Sequence, residues 1–121
     1  MNAQTVEESI KEYVAAWNEM GAENMKAALG KCWMADSSYA DPNNSPVKGP
    51  DGLAALIQRS HDQMPGRKFS RLSEAEFHHG SGCFKWLLTK KNGDTLEGLD
   101  YFEYNAENQI TRIVGFFKIL A

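Results

Sequence analysis

Apolar residues recur at helical spacing through the first half of the chain and alternate with polar ones through the second. Val6, Ile10, Tyr13, Val14, Trp17 and Met20 share one face of a 3.6-residue period, opened by a capping box of Thr5 and Glu8 and stopped at Gly21. Met25, Ala28, Leu29, Cys32 and Trp33 predict a second helix from about Asn24, in which Gly30 costs up to about 1 kcal/mol relative to alanine. The stretch "GPDGLAALIQRSHDQMPG" predicts a third, with Pro50 in its first turn, Leu53, Leu56 and Ile57 facing inward, and Pro65-Gly66 ending it. Beyond Gly66 the period changes to alternation, and four strands are expected over about 67–79, 83–91, 95–104 and 109–119. "HHGSG" and "KKNGD" read as hairpin connections, the Asn-Gly of the second favouring a type I′ turn, and "NAEN" joins the last two strands. Three helices followed by a meander make an α+β domain over residues 1–121, with the helices laid across the concave face of a curved antiparallel sheet.

Such a plan leaves a conical pocket between helices and sheet, whose wall follows from strand parity. In "LEGLDYFEYN", Asp100, Phe102 and Tyr104 share one face while Leu99, Tyr101 and Glu103 share the other. The glutamate assigns its own face to solvent or a partner subunit, which leaves Asp100 among aromatics on the inside. Aspartate is depleted in strands and costly to bury unpaired, so its presence there asks for a function. Asp41 raises a second question, because the following Pro42 holds it extended or turning and a turn alone would explain it.

Composition narrows the field without naming a chemistry. Hydrophobic residues make up 42% of the 121 and charged residues 24%, values of a globular domain. The net charge is -3, and the basic residues are scattered apart from Arg67-Lys68 and Lys90-Lys91, which argues against nucleic acid as a partner. The N-terminus lacks a signal-peptide pattern and no apolar run approaches the roughly 18 residues of a membrane span, so a soluble, cytoplasmic protein is expected. Cys32 and Cys83 stand far apart with no metal-ligand spacing, and buried free thiols are expected. His61, His78 and His79 show no ligand motif either, although one of the adjacent pair can line the pocket. No glycine-rich phosphate loop or serine nucleophile motif occurs.

Three separated pieces, "YVAAWN", "YADP" and "LDYFEYN", together with "KGPDGLAALI" and "QITRIVGFF" in the same order, resemble the nuclear transport factor 2-like superfamily. Within it, the chain is similar to SnoaL-like and ketosteroid isomerase-like proteins. The resemblance implies the cone-shaped, cystatin-like fold. It also implies acid-base chemistry on a small hydrophobic carbonyl compound, with Asp41 as general base and Tyr13 and a protonated Asp100 donating hydrogen bonds to the enolate. Trp17, Tyr39, Trp86, Phe102 and Phe117 are then the expected substrate-binding residues, Tyr39 serving as wall or lip. No cofactor or metal is implied, and a homodimer through the outer sheet face is expected. Ile57 stands where the isomerases carry a second, supporting tyrosine. A non-catalytic ligand-binding or assembly domain, or a SnoaL-like cyclase or dehydratase, are the alternatives that the same residues permit.

Overall fold

The computed structural model describes residues 4–117. Helix α1 covers Val6–Asn18, α2 Ala22–Leu29 and α3 Gly49–Gln63; strands are β1 Trp33–Asp41, β2 Asn44–Lys48, β3 Lys68–Arg71, β4 Glu76–His78, β5 Ser81–Thr89, β6 Thr95–Tyr104 and β7 Ile110–Phe117. The expected strand end at residues 118–119 lies outside the described residues. The sheet runs β2-β1-β7-β6-β5-β3, with β4 also on β5. Three helices pack on this curved sheet, an α+β arrangement.

The helices form where their periodicity places them. Thr5 Oγ1 accepts from the Glu8 amide at 3.0 Å and Glu8 Oε1 accepts from the Thr5 amide at 3.1 Å, which closes the capping box of α1. Ile10, Tyr13 and Trp17 of α1, Met25 and Leu29 of α2, and Leu53 and Ile57 of α3 meet Phe84, Phe102, Ile110 and Ile113 of the sheet to make the core. Met20 does not join them: α1 ends at Asn18, and Met20 is 63% exposed. The second helix is also shorter than its apolar spacing suggests, because Leu29 ends it and Trp33 already begins β1.

Two strands are absent from the sequence expectation and one is divided. β1 reads "WMADSSYAD", too polar to alternate cleanly, and its buried positions are Trp33, Ser37 and Tyr39. Ser37 is buried because its hydroxyl donates to the Ile110 carbonyl at 2.7 Å and accepts from the Met34 amide at 2.8 Å, bridging a register shift between β1 and β7. That pair is parallel, so the sheet is mixed rather than the all-antiparallel meander expected. The segment 67–79 breaks into β3 and β4 because Ser73 Oγ takes the Lys85 amide at 3.0 Å in place of a ladder bond. Glu7 of α1 holds the break by accepting from the Arg71 guanidinium at 2.6 Å and the Ala75 amide at 2.8 Å.

The type I′ turn also lies elsewhere. His78 pairs with Ser81, so His79 and Gly80 alone connect β4 to β5, and both have positive φ, 50° and 87°. Between β5 and β6, Gly93 alone has positive φ, and its amide donates to the Lys90 carbonyl at 2.9 Å while Lys90 bonds Asp94 at 2.8 Å. This is a three-residue connection with glycine at the left-handed position.

Candidate functional site

A cavity of about 430 Å³ opens between the helices and the sheet. Tyr13, Trp17, Tyr39, Asp41, Trp86, Asp100 and Phe117 all line it, so seven of the residues singled out in the sequence come together. Phe102 does not. One pleat beyond Asp100 on the same face of β6, it is fully covered by core side chains, and its ring occupies the space that a side chain on Gly82 would need. His78 and His79 are exposed in their turn and line nothing. Cys32 is buried, Cys83 only half-buried, and both are free.

Each acid is placed by its strand. Asp100 faces inward from the middle of β6, and among the described residues the β6–β7 ladder shifts register only later, at Glu103 and Tyr104, so the parity holds where it matters. Its partner across the ladder is Gly115. A methyl group on Gly115 would stand 3.2 Å from Asp100 Oδ1, 3.3 Å from Asp41 Cβ and 3.5 Å from Tyr39 Oη. The bare glycine thus lets the side chains of Asp100, Asp41 and Tyr39, from two different strands, approach one point. Asp100 Oδ1 accepts from the Trp86 indole N–H at 3.0 Å. Trp86 reaches it by lying flat over its cross-strand partner Gly98, where any Cβ would collide with the ring at 2.0 Å.

Asp41 ends β1 and half-emerges from the cavity. Tyr39 Oη donates to its Oδ2 at 2.6 Å, and the Asn43 amide and Asn44 Nδ2 donate to Oδ1 at 2.8 and 2.9 Å. Asn44 Nδ2 also reaches Oδ2 at 3.1 Å, so each oxygen accepts two bonds, the hydrogen-bonding pattern of an acceptor-only carboxylate. The sequence reading missed Tyr39 and Asn44 as partners of Asp41. Residues 39 and 41 share one face of any strand, so recognising β1 would have paired them.

Tyr13 is buried in α1, its ring stacked on Trp33 at 5.8 Å between centroids. Ile57, at the supporting-tyrosine position, is a core residue, while Leu56 takes the cavity wall. Trp17, Phe69 and Trp86 continue the wall as a chain of edge-to-face contacts at 5.3 and 5.4 Å.

No family model matches the chain, and no curated protein matches it. Among solved structures, one described as a candidate isomerase of the SnoaL-like family from Agrobacterium tumefaciens str. C58 is 30% identical. The match covers 92% of this chain and 95% of that one, with a TM-score of 0.82. The chain belongs to the SnoaL-like family. A protein of ketosteroid isomerase-like fold from Catenulispora acidiphila DSM 44928, solved with trimethylamine, is 13% identical over 96% of this chain and 88% of that one (TM-score 0.77). A candidate SnoaL-like polyketide cyclase from Shewanella putrefaciens CN-32 is 11% identical over 93% and 79% (TM-score 0.70). At such identities these two show the fold, which is the cystatin-like, nuclear transport factor 2-like one.

The electrostatics of this SnoaL-like pocket separate its two acids by environment. Burial pushes the Asp100 carboxyl up to about 7, the nearby Asp41 charge adds to the rise, and the Trp86 N–H opposes it. Burial likewise raises the Tyr13 and Tyr39 phenols well above their ordinary value, with Asp100 and Asp41 adding to the effect. At neutral pH the pocket therefore holds two neutral phenols and an acid able to carry a proton beside a hydrogen-bonded carboxylate. Such a set can move a proton and stabilise an oxyanion.

Proposed function

We propose that this SnoaL-like protein catalyses a proton transfer on a small hydrophobic carbonyl compound through an enolate. Asp41 takes a proton from the carbon between the carbonyl and a C=C bond, the C–H electron pair moves into the carbonyl, and its oxygen becomes the enolate. Tyr13 and protonated Asp100 donate hydrogen bonds to that oxygen. Return of the proton to the far end of the dienolate moves the double bond into conjugation and regenerates Asp41. The observation that carries this reading is the meeting of Asp41 and Asp100 above Gly115 in a cavity that Tyr13 also lines. The cavity's size, toward the lower end of small-molecule sites, supports a compact substrate.

The reading is tested by the isomerisation of β,γ-unsaturated ketones. Asp41→Asn should lower the rate about 10²- to 10⁴-fold with the fold intact by circular dichroism. An equal rate in the variant overturns the mechanism. One observation favours a second reading, that of a non-catalytic binding domain. Both oxygens of Asp41 already accept hydrogen bonds, from Tyr39 and from the β1–β2 turn, as they would if the carboxylate only anchored that turn. In that case Asp41→Asn costs stability, and the wild type accelerates no ketone.

A further inference from the structure

The cavity is not uniform from end to end. Tyr13 and Asp100 lie buried at its inner end, whereas Arg59 of α3 and Lys90, just after β5, line it with exposed side chains. Among the described residues, neither Arg59 nor Lys90 is in a salt bridge, and the only carboxylates lining the cavity are Asp41 and Asp100.

A third cation stands behind the same rim. Arg67 is 3% exposed, its Nε donates to Ser60 Oγ at 3.0 Å, and its guanidinium lies over the Phe69 ring at 4.8 Å and the Trp17 ring at 5.8 Å. Ser60, Phe69 and Trp17 are all cavity walls. Among the described residues, one Arg67 nitrogen is buried without a partner and no carboxylate neutralises this guanidinium. Burial lowers it to about 10, which leaves it charged at neutral pH. Positive charge thus gathers at one end of an apolar-walled cavity in a chain whose overall charge is -3. Field lines focused by low-dielectric walls would draw an anion to that mouth.

Resting on the acid-base reading of the inner end, we infer that the substrate is an amphipathic carbonyl compound with an anionic group, a carboxylate or its equivalent, at the end remote from the reacting oxygen. The carbonyl enters toward Tyr13 and Asp100, the hydrocarbon body lies along Trp17, Phe69 and Trp86, and the anion stays at the mouth with Arg59 and Lys90.

Two probes that differ only in the remote group test the assignment. 2-Naphthol offers a phenol to the inner end, and 6-hydroxy-2-naphthoate offers the same phenol with a carboxylate at the other end of the rings. By titration calorimetry at low salt, the carboxylate should bind about tenfold more tightly, an advantage that two partly exposed ion pairs can supply. Raising the salt should erode the advantage. In the Arg59→Gln/Lys90→Gln double variant it should vanish while 2-naphthol affinity is unchanged. Equal affinities in the parent, a preference that survives the double substitution, or failure of both probes to bind would each overturn the inference. The measurement needs no turnover, so an inactive protein that still prefers the carboxylate through Arg59 and Lys90 would refute the catalytic reading while leaving the anionic ligand standing.

Discussion

Asp100 sits in its strand because the site around it was cleared of side chains. Gly98 leaves a place for the Trp86 indole, and Gly115 leaves a place for Asp41. The carboxyl is then dry enough to hold its proton to about pH 7. The sign for stability follows. Above about pH 4 the unfolded chain has released this proton while the folded state retains it, so the group lowers stability as pH rises, by at most about 1.4 kcal/mol per unit, until the folded value near 7 is passed. Denaturant titrations from pH 4 to 8 should show Asp100→Asn free of this slope and more stable than wild type at pH 8. Activity that depends on Asp100 as a donor should decline as pH rises through 7. Gly115→Ala tests the meeting point. Its methyl group would press on both acids at 3.2 and 3.3 Å, so the neighbours must part by a few tenths of an ångström. The variant should fold with a loss of about 1–3 kcal/mol, and turnover should fall about tenfold with little change in KM, because the base and the donor no longer match one geometry.

At the scale of elements, the free edge of β3 is closed by one side chain rather than by a strand. Asn18, the last residue of α1, donates from Nδ2 to the Phe69 carbonyl and accepts the Phe69 amide on Oδ1, both at 2.8 Å, so its amide imitates a ladder partner. Asn18→Ala should cost about 1–2 kcal/mol in chemical denaturation, and Asn18→Asp, which keeps only the acceptor, should fall between. The helices and the strands β5, β6 and β7 were legible because their periods and turn residues are local. β1 was not, since Ser37 and Ser38 interrupt its pattern and its buried serine is satisfied by Ile110, 73 positions away. Parity on β6 placed Asp100 inside, and the step before Pro42 drew attention to Asp41. What local pattern lacked was register. Only the pairing of Asp100 with Gly115, and of β1 with β7, explains why the two acids meet, and neither has a signal within a window of neighbouring residues.

For the whole molecule, the outer face of the sheet is the surface that asks for a partner. Phe116 is 54% exposed and pairs across the ladder with Leu99, while Tyr101 lies beside Glu103 and Arg112, which bridge at 3.4 Å. An apolar centre with a polar border is the pattern of an association surface. We expect a homodimer in sedimentation at micromolar concentration and a monomer for Phe116→Lys; a monomeric wild type would sink the proposal. No helix among the described residues is long and apolar enough to cross a membrane. The bond from the Trp86 indole to Asp100 has an optical consequence. Its N–H touches the very carboxyl whose proton is in question, at 3.0 Å. The emission of Trp86, isolated by replacing Trp17 and Trp33 with phenylalanine, should therefore trace a single step centred near pH 7, giving the protein an intrinsic indicator dye for the charge state of its own pocket.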